Sequence, residues 1–322
     1  MKKALVIGTE IAVSEIESGA SIRLNSIKKI LSESGFEVIA VSKKNADSVL
    51  KRNWDIIVLV SFSSARFLRK SRKKTKILWF DPTDSWSISR LSIGRSGDLR
   101  QFFALFLDCL FIYFAPKIDQ ITFITSRDML REKFWWKFRK NPIVLPNSGL
   151  RKEIKRSNSD RLIFVGEGSY KPNLFAIKFL KDVLDHLPKD IKIYLYGKNL
   201  SDKDPRFIIN GYAQDSEIYL SNNIYLAPIN FGAGQKMKVA VPLWNGLQVI
   251  ATGEAAAGFN KVSNLLVANS PNEFALEIKK LFNNSIRAIS PAPEDLIYER
   301  NQMAELKSWL ESIGNSARTK RF

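Results

Sequence analysis

Two lysines one residue apart, Lys236 and Lys238, follow a glycine-rich run, Asn230-Phe231-Gly232-Ala233-Gly234-Gln235. Ile224–Ala227, before Pro228, reads as a strand; the lysines read as opening a helix; and the beta-branched residues of Val249–Thr252, within GLQVIAT (246–252), mark the next strand. A strand, a glycine turn and a helix N-terminus leave unpaired backbone N–H groups where the helix dipole favours an anion. Lysines in a first helical turn oppose that dipole unless a negative ligand offsets them. The chemistry this implies is binding of a phosphorylated substrate. Other chemistries are restricted by composition, because the chain has one cysteine, Cys109, and one histidine, His186. An internal disulfide framework and a multi-cysteine metal site are excluded, and the lone thiol fits a reducing compartment. A His-based triad would depend on His186, which reads as a solvated residue at a helix end, beside Asp185 and before Pro188.

The elements that must position this turn alternate along the chain. Strands are predicted at 4–7, 37–41, 55–60, 76–80, 121–125 and 143–145, and again at 162–165, 191–196, 207–209, 224–227, 249–251 and 265–267. Helices fall between them. Ile22–Ser34 stops before Gly35, and Pro172–Leu187 begins on a proline and carries the core stripe Ile177, Leu180, Leu184 and Leu187. At 322 residues and 45% apolar content, this alternation predicts an α/β chain of two Rossmann-like, doubly wound domains facing a cleft. The expected division is 1–152, 153–295 and a last helix, about 296–312, within 296–322 and packing back on the first domain. The polar run Arg151–Asp160 reads as the linker.

The net charge of +18 is uneven, with 26 Lys+Arg against 14 Asp+Glu in residues 1–150, and 24 against 18 in the rest. Seven of the basic residues crowd into RFLRKSRKKTK (66–76), either a solvated loop or a surface for anionic lipid, nucleic acid or acidic polymer. The 14-residue run FFALFLDCLFIYFA (102–115) is too short to span a bilayer. It reads either as a buried crossover helix or as a helix lying in a membrane plane, flanked by Arg95, Arg100 and Lys117. Trp135-Trp136 in REKFWWKFRK forms a second aromatic-basic patch. No signal peptide is visible at the N-terminus, where Met1-Lys2-Lys3 leads directly into a short strand.

Four segments in order, IVLPNSG (143–149), LIFVGEGSYKPNLFAIKFL (162–180), FIINGYAQD (207–215) and IYLAPINFGAGQKMKVAVPLWNGLQVIATGEAAAGF (224–259), resemble GT-B glycosyltransferases, in particular glycosyltransferase family 4. The resemblance implies transfer of a sugar from a nucleotide diphosphate donor, UDP- or GDP-linked, with retention, without a metal and without a further cofactor. Asn230, Phe231, Gly232, Ala233, Gly234 and Gln235 would cradle the donor sugar and diphosphate. Lys236 and Lys238 would neutralise the pyrophosphate. Lys171 matches a basic phosphate contact or is simply exposed. Gly211 and Tyr212 would lie near the base, unless Tyr212 is a buried aromatic. The family's ribose-binding glutamate position falls on Val241 and a second acidic position on Ala257, with Glu254 nearby. Valine accepts no hydrogen bond, so the departures favour either a different grip on the ribose or a non-catalytic GT-B-like partner or scaffold.

In the first domain, Gly19 within Glu17-Ser18-Gly19-Ala20-Ser21, with Arg23 behind it, resembles the loop that faces the donor phosphate. Glu10, Asp81 and Asp84 follow the first and fourth strands; a carboxylate there would serve as an acceptor base, or, for Asp81 before Pro82, as ordinary turn structure. The catalytic residue stays unassigned. The expected acceptor is a glycan or lipid-linked component of a surface polysaccharide, met on the cytoplasmic side of a membrane with an anionic surface. A nicotinamide dehydrogenase is disfavoured, since Gly166-Glu167-Gly168 lacks the third glycine of the dinucleotide fingerprint. No compact nucleic-acid recognition motif is present, so no nucleic-acid partner is expected. Oligomeric state is not readable.

Overall fold

The computed structural model describes residues 2–13, 18–95, 99–133, 141–147, 154–155, 157, 160–212, 218–283 and 297–316. The chain divides into two compact units, Met1–Ser148 with Arg300–Phe322, and Gly149–Glu299. In the first, the elements are β1 (Lys2–Gly8), α1 (Glu10–Val13), α2 (Gly19–Glu33), β2 (Phe36–Ser42), α3 (Ala46–Val49) and β3 (Trp54–Val60). A 3₁₀ turn (Phe62–Phe67) leads to α4 (Leu68–Arg72), β4 (Thr75–Thr83), α5 (Trp86–Arg95), α6 (Arg100–Tyr113), β5 (Gln120–Phe123), α7 (Ser126–Lys133) and β6 (Ile143–Val144). All pairings are parallel, in the order β2-β1-β3-β4-β5-β6.

A parallel sheet is covered on both faces, so its strands read as continuous apolar runs whose alternate side chains go to opposite sides. Leu5, Ile7, Ile57 and Leu59 enter one core, and Ala4, Val6, Ile56 and Val58 the other. The second core is completed from the far end of the sequence. Leu306 and Leu310 are fully buried there, and Trp309 meets Trp79 edge to face at 6.3 Å.

The second unit holds β7 (Arg161–Val165), α8 (Lys171–Leu184), β8 (Ile193–Tyr196), β9 (Phe207–Ile209) and β10 (Asn223–Ala227). It continues with α9 (Met237–Trp244), β11 (Gln248–Ala251), β12 (Leu265–Val267) and α10 (Pro271–Asn283). Its six strands are also parallel, in the order β12-β11-β10-β7-β8-β9. Both units are therefore Rossmann-like and doubly wound, as the alternation predicts. Part of the polar linker segment is tied down, with Lys155 bridging to Leu220.

Two expectations need correction. The last helix, α11, is Met303–Ser316 and starts later than 296, because Ile297 and Tyr298 are committed to the core of the second unit. The Tyr298 hydroxyl accepts from Trp244 Nε1, and Tyr298 pairs with Phe259. The apolar run 102–115 forms α6, but it is not a buried crossover helix: only Ile112 is buried in the helix, while Leu105 and Cys109 pack partly against the core. Burial pushes the Cys109 thiol up. No described helix is long and apolar enough to cross a membrane. The Trp135-Trp136 patch lies outside the described residues.

Candidate functional site

The second sheet reverses its strand order between β7 and β10. The chain runs from β7 outward to β8 and β9, then returns to β10 on the other side. Loops leaving the carboxyl ends of such neighbouring strands diverge, and the crevice between them is where doubly wound sheets bind ligands. Here those loops are 166–170 and 228–236.

Lys238 joins them. Its Nζ donates to Asn173 Oδ1 at 2.6 Å and stands 4.5 Å from the ring centroid of Phe164 on β7. Asn173 is buried in the first turn of α8, and its Nδ2 donates to the Glu167 carbonyl at 2.8 Å, which fixes the amide so that its oxygen faces the lysine. Gly166 permits this approach, since a Cβ there would lie 2.7 Å from Asn173 Nδ2. The partners of Lys238 are thus an amide and a ring, and no carboxylate pairs with it among the described residues. Burial, with the charge of Lys236 added, pushes the amine down to about 7.

The glycine turn lies just above. Gly232 and Gly234 have φ of 109° and 73°, left-handed conformations that glycine adopts without a Cβ clash. Lys236 is the N-cap of α9, one residue before the helix, and its Nζ turns back to the carbonyls of Ala233 at 2.6 Å and Gly234 at 3.4 Å. No side chain caps α9 through that position. Phe231 packs edge to face on Phe175 of α8, with centroids 5.2 Å apart, and Asn230 is exposed. Asn230–Lys238 therefore form one continuous feature beside the switch point, with Lys238 deepest.

The remaining second-unit candidates are more scattered. Lys171 is the first residue of α8 and exposed. Gly211, with φ 69°, follows β9 at the sheet edge, and its carbonyl accepts from Gly197 N at 2.5 Å. Tyr212 is not a buried aromatic: its ring is 73% exposed, 5.7 Å from Lys198 Nζ. Glu254 and Ala257 sit in the turn after β11, which Thr252 organises by donating to the Ile229 carbonyl at 2.5 Å and accepting from Ala255 N. Val241 is buried in the core.

The first-unit candidates do not converge in the same way. Arg23 does not face the Gly19 loop. It is fully buried, with Nε 3.2 Å from Asp81 Oδ1, Nη2 2.5 Å from Oδ2, and Nη1 donating to the Leu145 carbonyl. Asp81, also fully buried, accepts further from Thr83 N and from the Thr122 hydroxyl. Both its oxygens are occupied by the fold, and Asp81 lies within β4 and not in a turn. Gly19 opens α2 behind a Ser18–Ser21 capping box; Glu17 lies outside the described residues. Glu10 begins α1 half-buried, and Asp84 is exposed before α5.

Sequence reasoning passes over a second polar cluster here. Asp128 and Glu132, one turn apart on α7, receive the start of α5 through Ser85 and Ser87. Ser85 N reaches Asp128 at 3.2 Å, and Ser87 N and Oγ reach Glu132 at 3.0 and 2.8 Å. Burial pushes Glu132 up to about 7. Asn173 is missed as well; its sequence signal is an asparagine in a first helical turn behind a VG strand end. Among the described residues, no group of three or more His, Cys, Asp or Glu is placed to hold a metal ion.

No protein-family model matches the sequence, and no curated protein matches it. Solved structures do. UGT89C1 of Arabidopsis thaliana, complexed with quercetin, aligns over 96% of this chain and 99% of its own, at TM-score 0.51 and 10% identity. The T4 phage beta-glucosyltransferase, a DNA-modifying enzyme studied with uridine diphosphoglucose, aligns over 99% and 96%, at 0.49 and 14%. TarM of S. aureus aligns over 80% of this chain and 51% of its own, at 0.48 and 12%. These neighbours are GT-B glycosyltransferases, and the likeness to UGT89C1 is one of fold.

Proposed function

We propose that the chain is a glycosyltransferase that moves a sugar from a nucleotide diphosphate sugar, UDP- or GDP-linked, to a glycan or lipid-linked acceptor of a surface polysaccharide. The observation that carries this reading is Lys238. A half-buried lysine at the switch point, two residues into a helix and facing, among the described residues, an amide and an aromatic ring, lacks a counter-charge. A diphosphate supplies that charge. It would lie across the β7 and β10 loops, at the N-terminus of α9, with Gly232-Ala233-Gly234 beside the donor sugar and Lys236 swinging from its carbonyls to the phosphate. As the glycosidic bond breaks, negative charge grows on the departing diphosphate, where the two ammonium groups and the helix dipole stabilise it.

Membership of glycosyltransferase family 4, retention, independence of metal and a peripheral place on the inner face of a cell membrane belong to the same proposal. Lys171 would add a phosphate contact, Gly211 and Tyr212 would border the base, and Glu254 would approach the ribose. Gly19 would face the donor from the first domain. Glu10 and Asp84 are the carboxylates that remain for the acceptor side.

Val241 favours a second reading. Its side chain belongs to the core, so the position offers the ribose no acceptor, which suits a partner protein that keeps the fold without turnover. Calorimetric titration with UDP- and GDP-sugars, alongside an assay for nucleotide release, separates the readings. Binding with slow release of the nucleotide diphosphate supports the transferase; binding without release supports the partner; no binding to either donor class overturns the transferase and leaves the partner reading.

A further inference from the structure

The outer face of α6 has no partner in the described structure. Leu105, Cys109 and Ile112 turn toward the core, while Phe103, Phe106, Leu110 and Phe114 are 66, 57, 41 and 61% exposed. Monomeric proteins rarely leave so many contiguous aromatic and aliphatic side chains in water. The one acidic residue of the helix is neutralised: Asp108 pairs with Arg90 of α5 at 3.1 Å. Positive charge surrounds the C-terminal end. Arg69 Nη2 donates to the Phe114 carbonyl at 3.3 Å, and Arg66 and Lys117 are exposed nearby in sequence on either segment. Beyond α4, the N-terminal ends of β1, β3 and β4 line a cavity of about 690 Å³ with Lys2, Lys3, Lys73, Lys74 and Lys76, against a single carboxylate, Asp55.

We infer that α6 lies in the plane of an anionic bilayer surface, with its apolar face among the acyl chains and the basic edge of the first unit against the lipid headgroups. At 14 residues the helix is about 21 Å long, too short to cross a bilayer but long enough to seat in its interface. The charge decides between occupants. A second copy of this chain would bring Arg66, Arg69 and Lys117 against their own like, whereas a layer of anionic phosphates complements them. This gives the proposed peripheral location a specific surface, and it does not depend on donor chemistry.

Vesicle co-sedimentation without nucleotide tests it. The wild type is expected to pellet with phosphatidylglycerol-containing vesicles and to stay in solution with pure phosphatidylcholine. Replacing Phe103, Phe106 and Leu110 together by serine should lower partitioning by roughly a hundredfold or more. Arg66→Glu with Arg69→Glu should lower it roughly tenfold at low salt, with the apolar face intact. Thermal melts and circular dichroism of both variants report whether each has folded, and a donor titration of the wild type is run alongside. A wild type that ignores anionic vesicles, a serine variant that binds as well as wild type, or a wild-type dimer that the serine variant alone dissolves would each overturn the membrane assignment. A failed donor titration with intact vesicle binding would count against the transferase reading alone.

Discussion

Two cations, one in each unit, the fully buried Arg23 and the half-buried Lys238, sit near the carboxyl ends of their sheets and are treated in opposite ways. Arg23 is enclosed by Asp81 and the Leu145 carbonyl, so its charge is cancelled within the fold. Lys238 is given an amide oxygen and a π face, and is pushed down to about 7. A cation that the protein itself neutralises holds structure together. A cation left with neutral partners is available to a ligand, and under the proposed function that ligand is the donor diphosphate. Residue type alone does not separate the two; the partner does.

The largest effect should come from breaking the compensated pair. Asp81→Asn leaves the Arg23 charge buried without its counter-ion and should cost about 3–5 kcal/mol in urea unfolding of the first unit. A loss under about 1 kcal/mol would show that Arg23 is not held by charge. Lys238→Ala should do the reverse, weakening a nucleotide diphosphate sugar by about 1.5–3 kcal/mol while leaving stability unchanged or improved.

The pH dependence of that site follows from the lowered amine. Between pH 7 and about 10.5 the folded chain binds fewer protons at Lys238 than the unfolded chain does, so this group's contribution to stability rises with pH across that window. A bound diphosphate raises the amine again. Donor binding should therefore take up a proton above pH 7 and weaken as pH climbs further, visible as a buffer-dependent heat; equal heats in buffers of different ionisation enthalpy would count against it. The smallest change should come from making the second site resemble the first. Asn173→Asp installs a carboxylate on Lys238, and donor affinity should fall roughly tenfold, with the proton uptake abolished. Unchanged affinity would mean the amine is not where the phosphate binds.

The strands were largely legible in the sequence. Runs such as Ala4–Ile7 and Ile56–Val60 are apolar throughout because both faces of a parallel sheet are covered, and the turn at Gly232–Gly234 announces its own left-handed geometry. The partners were not. Arg23 and Asp81 are 58 residues apart and Lys238 and Asn173 are 65 apart, distances over which no local pattern speaks. Strand order, and with it the switch point between β7 and β10, is likewise a product of tertiary pairing. For α6, the apolar run specified a helix but could not specify what would cover it, and the aromatic side chains turned out to face away from the core.

The packing of α11 carries a consequence for how the molecule is made. Lys2 Nζ bonds the Ile313 carbonyl across 311 residues, Gln302 N donates to the Val144 carbonyl, and Leu306 and Leu310 close the core beneath β1 and β3. The first unit is thus missing one wall until the whole second unit has been translated. The second is drawn from one contiguous stretch. Closing so long a loop is slow compared with the local contacts of a βαβ unit. The half that carries Lys238 can reach its native packing on the ribosome, while the half that carries α6 waits for α11 and keeps apolar surface open until it arrives.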